Sequence, residues 1–320
     1  MKNAIFFGNG LNRLNGGFSW ENLLKEITKD SLIDGISNTL QYEAIILALD
    51  YYDYKPFITA DGYQFVSADG LELRTKDKPA EENIKNKIKD ALEKFETNQI
   101  YKRLAELDIE HYITTNYDQT LYKQLIELGF KEGASNNSEK LYSIRRKFQM
   151  KKNADECKVI WPMHGTIKSP KSIMLGLDHY CGSVGKINEY LKGNYKYSQS
   201  QRLESLIHRL RNKDCETPLS WIDLFFTHNI HILGFGLMPD EIDIWWILNR
   251  RQRYIRQHGS EGIITNKIYY YGDVEENTSK LLRRLGIEVR VFPEKDSHTS
   301  YEEQYEYFID EIESLSTDKN

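Results

Sequence analysis

Six short apolar runs, rich in β-branched or aromatic residues, recur along this chain, and most of them run into a turn-forming residue. The runs occupy residues 4–7, 111–115, 158–163, 229–233, 267–271 and 287–292. Helical patterns lie between them. Strands that alternate with helices pair in parallel through right-handed crossovers. The sequence therefore predicts an α/β fold built on a doubly wound parallel sheet of about six strands.

Three apolar stripes have helical spacing, with residues three or four positions apart on one face. They comprise Ile84, Ile88, Leu92 and Phe95; Leu121, Leu125 and Leu128; and Leu281, Leu282 and Leu285. Asp118 is placed to cap the second helix and Gly129 to end it, while Gly286 ends the third. These stripes supply the helices that a doubly wound sheet needs.

Two stretches depart from plain strand–helix alternation. Residues 20–108 are mostly helical, with an irregular piece at 52–80, and residues 178–226 are helical and polar. We predict that both are insertions that form a helical lobe beside the sheet. The predicted organisation is one domain over residues 1–315, followed by a tail at 316–320.

The three cysteines exclude two classes of stabilising site. Cys157, Cys181 and Cys215 form no C-x-x-C pair, so neither a disulfide framework nor a four-cysteine zinc site is possible. We therefore predict that the protein binds no metal.

Charge and hydropathy narrow the function classes further. The chain carries 43 basic and 48 acidic residues, which argues against sequence-independent nucleic-acid binding. No apolar run approaches the ~20 residues of a membrane span, and the first run is too short for a secretory signal. These features predict a cytoplasmic protein without membrane association.

The loop after the first predicted strand reads Gly8-Asn9-Gly10-Leu11-Asn12. In open parallel sheets, ligands bind at the carboxyl ends of the strands, and glycine turns bring backbone N–H groups to phosphates. The dinucleotide fingerprint fails because position 13 is arginine, and no P-loop pattern is present. A tight strand-to-helix turn is the structural alternative.

Polar side chains follow the second and third predicted strands. Thr114-Thr115-Asn116-Tyr117-Asp118 follows the second strand, where the Asn116 amide can bind ribose hydroxyls and a water. The alternative is that Asn116 and Asp118 only form a turn and a cap. His164, before Gly165, follows the third strand and can act as a general base, although a lone histidine is more often structural.

Two more glycine turns follow the fourth and fifth strands. They contain Gly234 and Gly236 in one and Gly272 with Asp273 in the other. After the first of these turns, Ile242, Trp245 and Trp246 form a stripe that favours core packing. All five turns are predicted to meet at one edge of the sheet.

Together these motifs resemble the catalytic core of the sirtuins. Gly8-Asn9-Gly10, Thr114-Thr115-Asn116-Tyr117-Asp118, His164-Gly165 and Gly234-Phe235-Gly236 occur in the sirtuin order, and the similarity spans roughly residues 4–292, most of the chain. The second motif is similar to that of bacterial sirtuin-like proteins that lack the zinc module, a family of NAD-hydrolysing effectors of antiphage defence. The family's Gly-x-Ser is Gly234-Phe235-Gly236 in this chain.

The resemblance implies a Rossmann-like sheet that binds NAD+ as substrate. It further implies an NAD+ glycohydrolase that kills infected cells by depleting NAD+. Asn116 would position the water and the ribose hydroxyls, and His164 would be the general base. The cofactor-binding set it implies is Gly8, Asn9, Gly10, Asn12, Thr115, Asp118, Gly234, Gly236, Gly272 and Asp273.

The residues leave other functions open. A non-catalytic module that binds NAD or ADP-ribose fits the missing serine, and an NAD-dependent protein deacylase is disfavoured by the missing zinc module. The basic patches at 145–147 and 250–253 are more typical of solvated faces or partner contacts than of nucleic-acid sites. Control of such a hydrolase implies a homo-oligomer, a separately encoded sensor, or both.

Overall fold

The computed structural model confirms the α/β fold with its Rossmann-like sheet. It describes residues 1–17, 19–28, 33, 35–52, 55–59, 62–66, 80–134, 139, 141–196, 202–293 and 299–317. The strands are β1 (Asn3–Phe7), β2 (Lys55–Thr59), β3 (Gly62–Val66), β4 (His111–Thr114), β5 (Lys131–Glu132), β6 (Phe148–Lys151), β7 (Cys157–Pro162), β8 (Asn229–Leu233), β9 (Ile268–Tyr271) and β10 (Ile287–Arg290).

Eight of these strands form one sheet in the order β10-β9-β8-β1-β4-β7-β6-β5. The six from β10 to β7 are mutually parallel, and they are the six predicted runs. The chain first builds outward from β1 to β4 and β7, then crosses to β8 on the other side of β1. The strand order therefore reverses at β1, which places a ligand crevice at its carboxyl end.

Two antiparallel strands at one edge of the sheet, β5 and β6, were not predicted. Phe148 and Met150 are buried in β6 while the residues between and after them are not, and β5 is only two exposed residues long. A search for short apolar runs does not detect so short an alternating strand. The parallel sheet is thus six strands wide, as predicted, and antiparallel strands extend it to eight.

Helices cover both faces of the sheet and form the lobe beside it. They are α1 (Trp20–Thr28), α2 (Asn38–Tyr52), α3 (Ala80–Leu92), α4 (Gln99–Glu106), α5 (Thr120–Glu127), α6 (Leu177–Lys192), α7 (Leu206–Arg211), α8 (Trp221–Thr227), α9 (Ile242–His258), α10 (Glu276–Arg284) and α11 (Tyr301–Thr317). Among the described residues, none of the helices has the length and apolar character needed to cross a bilayer.

The predicted insertions fall on α1 to α4 and on α6 to α8. The stretch expected to be irregular, 52–80, contains the antiparallel hairpin β2–β3, although residues 53–54, 60–61 and 67–79 lie outside the described part. Helix α11 continues into the predicted tail as far as Thr317, and residues 318–320 lie outside the described part. One domain over residues 1–315 stays a prediction.

Alternate residues of β1 point into two different cores. Ala4 and Phe6 pack in the core shared with α6, α8 and α9, whereas Ile5 and Phe7 pack in the core shared with α4, α5 and α11. Each fully buried large apolar side chain contributes about 1.5–3 kcal/mol. Burial of both faces holds β1 at the centre of the sheet and fixes the loop that follows it.

A third core lies within the helical lobe. It joins Leu24 of α1, Tyr42 of α2 and Ile88 of α3 to Ile173 and Leu175 from the segment after β7. This packing ties the lobe to the carboxyl edge of the sheet. The lobe is thereby positioned as one wall of the space above the strand ends.

Helix α9 differs from its predicted register. Ile242 is 37% exposed, and the two tryptophans predicted as core are only partly buried at the edge of a core. The buried face instead carries Asp243, Ile244, Ile247, Leu248 and Arg251. The predicted stripe is therefore wrong in register, and the buried face begins with a carboxylate.

Lowering the pH from about 6.5 to 4 is expected to reduce the free energy of unfolding through His231. This ring is buried, stacks on Tyr269, and bonds to Asn3 Oδ1 (3.1 Å) and the Tyr271 hydroxyl (3.0 Å). Burial lowers the pKa of His231 to about 4. Between pH 6.5 and pH 4, the unfolded chain binds a proton at His231 that the folded protein does not bind. The stabilisation that the neutral His231 gives is therefore complete above pH 6.5 and is lost as the pH falls toward 4.

Urea titrations at several pH values measure this loss, which reaches about 3 kcal/mol for this one group. A His231→Asn variant should be less stable at pH 7 but should depend less on pH between 4 and 6.5. An unchanged pH dependence in that variant would assign the acid sensitivity to other groups.

Candidate active site

A cleft of about 760 Å³ lies over the carboxyl ends of the parallel strands. The loops after β9, β8, β1, β4 and β7 all contribute to it. Adjacent strands are about 4.8 Å apart, so four spacings give a floor roughly 19 Å across. The predicted site residues on its lining are Asn9, Gly10, Thr115, Asn116, Asp118, His164, Gly234, Gly236, Gly272 and Asp273.

Two predicted ligand-binding residues, Gly8 and Asn12, are absent from the lining. The Asn12 side chain is buried, donates to Asn9 Oδ1 (2.9 Å) and Asp118 Oδ2 (2.7 Å), and accepts the Tyr101 hydroxyl (2.6 Å). With these partners, Asn12 ties the loop after β1 to the loop after β4 from behind the cleft.

The glycine loop after β1 is in close contact with the loop after β8. The Gly10 N–H donates to the Gly234 carbonyl (2.8 Å). A Cβ on Gly10 would lie 2.7 Å from both that oxygen and the Tyr305 hydroxyl. Glycine is thus needed here for close approach of two loops and of α11.

Asn116 lies between the end of β4 and the start of α5. Asn116 is 7% exposed, and its backbone N–H donates to Thr114 Oγ1 (3.0 Å). Its Nδ2 has no hydrogen-bond partner among the described residues, although the Tyr101 phenol lies nearby. A buried amide without a partner is costly, so this donor is suited to a ligand group in the cleft.

Asp118 fixes the geometry of the same loop. Its Oδ1 accepts the N–H of Thr120 (2.9 Å) at the start of α5, and its Oδ2 accepts from Asn12. The N-cap residue of α5 is Gln119, so Asp118 binds the first helical N–H from one position earlier than predicted, and it also belongs to the cleft lining.

His164 is 1% exposed and lies between two carboxylates. Its Nε2 is 3.0 Å from Asp243 Oδ2, and its Nδ1 is 3.7 Å from Glu241 Oε2. Burial lowers the pKa of His164, but the Asp243 carboxylate, with a smaller effect from Glu241, outweighs it and raises the pKa overall. The Tyr180 ring packs edge-on against the imidazole, 5.2 Å away between centroids.

Glu241 lines the cleft but was not among the predicted site residues. Its side chain is 19% exposed, and burial, partly opposed by His164 and reinforced by Asp243, raises its pKa to about 7. A carboxyl with that pKa can carry or release a proton near neutrality. Its place just before α9 made it resemble an ordinary residue of the first helical turn.

His164, Glu241 and Asp243 also offer ligand atoms within 4.8 Å of one another, close enough to hold a metal ion. Nε2 and Oδ2 are at hydrogen-bond distance, however, and a metal would have to separate them. The arrangement as it stands is that of a hydrogen-bonded histidine–carboxylate pair.

Further lining residues come from elements that the motif search did not include. Trp20 belongs to α1, Tyr180 to α6, and Tyr301, Gln304 and Tyr305 to α11. Arg13 lines the cleft as well, although in the sequence it only broke the dinucleotide fingerprint. It is the only Arg or Lys in the lining contributed by the described residues.

Replacing Gly165 with alanine is expected to destabilise the fold by about 3 kcal/mol. Gly165 has a φ of +102°, and a Cβ there would lie 2.2 Å from the Ser172 carbonyl oxygen. Gly16 is the matched control, because its φ is +71° but a Cβ would meet nothing within 4 Å. Gly16→Ala should cost only about 1 kcal/mol, and equal losses in urea unfolding would contradict the steric argument.

Two comparisons with known proteins agree with this geometry. A family model described as a SIR2-like domain matches residues 110–288, more than half of the chain. The match begins just before β4 and ends within β10, so it includes the loops that carry Asn116, His164 and Gly234.

The chain is also similar to a curated protein, the NAD(+) hydrolase ThsA of Cytobacillus dafuensis. The two are 27% identical over 177 residues, which is 55% of this chain and 29% of that protein. The similarity thus spans less than a third of the relative.

Proposed function

Because the chain belongs to the SIR2-like domain family, we propose that it is an NAD+ glycohydrolase that releases nicotinamide and ADP-ribose. The observation that carries the proposal is that Asn116 and His164 line one cleft at the carboxyl edge of the sheet, where the Asn116 Nδ2 has no hydrogen-bond partner among the described residues and His164 is a buried base. The name of the relative from Cytobacillus dafuensis supports the same reaction.

The reaction does not need an acid catalyst to protonate the leaving group. Nicotinamide leaves as a neutral molecule, and cleavage of its bond to ribose passes through an oxocarbenium-like state. The protein must hold the ribose and activate a water. Asn116 positions the water and ribose hydroxyls, and His164 removes a proton from the water or from a ribose hydroxyl.

The rest of the cleft accommodates the dinucleotide. Its floor of roughly 19 Å suits an extended NAD+ better than a mononucleotide. The nicotinamide ribose lies at the β4–β7 end, and Gly272 with Asp273 contacts the adenosine at the β9 end. Arg13, beside the glycine loop, offers a cation to the pyrophosphate.

In the cell, we propose that the protein is an abortive-infection effector that depletes NAD+ in the cytoplasm during phage attack. Such an activity has to be restrained before infection. Self-association, a separately encoded sensor, or both would supply that control, and we propose that no metal is required.

Purified protein incubated with NAD+ tests the reaction directly. Nicotinamide and ADP-ribose should appear in equal amounts, without an acylated peptide and in the presence of a chelator. Binding of NAD+ without nicotinamide release would instead support a regulatory binding module. Release only with an acylated peptide would support a deacylase. Turnover should be measured across protein concentrations, because control by assembly predicts a rate per molecule that rises with concentration.

A further inference from the structure

We propose that Asp243 and Glu241 complete the acid–base machinery around His164. Asp243 is a positioning residue that keeps a proton on Nε2, and Glu241 is the group that exchanges the mobile proton with Nδ1. The reaction they serve rests on the proposed function, whereas the protonation of the ring does not.

Asp243 is a buried carboxylate with three hydrogen-bonding neighbours. This carboxylate is 0% exposed, on the first turn of α9, and His164 is its only ion-pair partner within the described part of the chain. Its Oδ2 also accepts the Ser183 hydroxyl (3.2 Å), and its Oδ1 accepts the N–H of Ile244 (2.9 Å). A buried carboxylate held by these hydrogen bonds fixes the imidazole tautomer by accepting the Nε2 proton.

Nδ1 is the His164 ring nitrogen that remains available to the cleft. Asp243 is absent from the cleft lining, while His164 and Glu241 both belong to it. Nε2 therefore faces the protein interior, and Nδ1 is the nitrogen that can act as a base toward the cleft. Glu241 Oε2 lies 3.7 Å from Nδ1 and has no hydrogen-bond partner among the described residues.

These positions define the course of the proton. As the water oxygen bonds to C1′ of the ribose, the C1′–N bond breaks and its electron pair goes to the nicotinamide nitrogen. The water proton moves to Nδ1, while Nε2–H stays hydrogen-bonded to Asp243. The Glu241 carboxylate then takes the proton from Nδ1 and releases it to solvent, which restores the neutral ring.

The titratable groups that face this unit come from four places in the chain. They are Tyr117 after β4, Tyr180 on α6, Asp240 and Glu241 before α9, and Asp243 on α9. Burial keeps the pKa of both tyrosines well above the usual value, so they stay neutral. Asp243 and Glu241 raise the pKa of His164, so removal of either carboxylate should move the acidic limb of activity to lower pH.

The test combines ¹⁵N NMR of the histidine rings with pH profiles of nicotinamide release. In the wild type, the neutral His164 ring should carry its proton on Nε2. Asp243→Asn should lower the His164 pKa and reduce kcat by about 10²-fold with little change in KM. Glu241→Gln should move the acidic limb of kcat/KM to lower pH and lower kcat. Asp223→Asn is the matched control, because Asp223 is an equally buried carboxylate that pairs with Arg209, away from the cleft.

Either of two results would overturn the proposal. One is a neutral wild-type ring protonated on Nδ1, which needs no variant to observe. The other is a His164 pKa that Asp243→Asn changes no more than Asp223→Asn does. If the wild type releases no nicotinamide, the proposed function fails, but the NMR measurement still decides whether Asp243 positions the ring.

Discussion

Replacing Asn116 with alanine is expected to lower nicotinamide release by at least about 10²-fold while NAD+ still binds. The Asn116 amide is buried, and its Nδ2 has no hydrogen-bond partner in the described part of the chain, so it is available to a group that reacts in the cleft. The glycine loops and Arg13 would hold the phosphates, and they follow strands other than β4, which precedes Asn116. The measurement is a steady-state rate alongside calorimetric NAD+ binding to the same preparations.

Asn266→Ala serves as the control for this experiment. Asn266 is a similarly buried amide that bonds to the Phe225 carbonyl (3.1 Å), far from the strand ends that form the cleft. This variant should lose stability but retain its rate per folded molecule. If Asn116→Ala loses binding and turnover together, Asn116 holds substrate or shapes the loop and does not act in the chemical step.

Replacing His164 with glutamine is expected to reduce turnover by at least about 10²-fold, the usual size of a general-base contribution. Glutamine removes the base but can still donate a hydrogen bond to Asp243, whose carboxylate would otherwise lose its contact with residue 164 and keep only Ser183 and the Ile244 N–H. The nicotinamide assay at saturating NAD+ measures the loss, and urea unfolding measures the accompanying change in stability.

Alanine at the same position separates chemistry from folding. His164→Ala should lose as much activity as His164→Gln and should in addition lose about 3–5 kcal/mol of stability, because it leaves a buried charge unpaired. Near-full activity in the folded glutamine variant would remove His164 from the mechanism.

The parallel sheet was predictable because five of its six parallel strands are buried on both faces, all but the edge strand β10. The run Ala4-Ile5-Phe6-Phe7 is continuously apolar, Asn229–Leu233 is apolar except at Asn229 and His231, and each run ends at a glycine turn. The same turns identified most of the cleft, since parallel strands bring their carboxyl ends to one edge. Local pattern and topology thus sufficed for the strand-end residues.

The remaining site residues depend on packing between distant segments. Asp243 was not among the predicted site residues, because only the register of α9, set by Ile244, Ile247 and Leu248, turns it toward His164. Asn12 was predicted to contact the ligand, but its side-chain amide is hydrogen-bonded to Tyr101 and Asp118. No spacing rule encodes such pairings across a hundred residues.

The wall that α11 gives to the cleft has a consequence for the order of synthesis. The glycine loop after β1 is synthesised long before Gln304 and Tyr305 of α11, which line the same cleft. A nascent chain that already carries Asn116 and His164 therefore still lacks part of the enclosure. Under the proposed function, full activity therefore requires α11, and a chain truncated before α11 has an open, incomplete cleft.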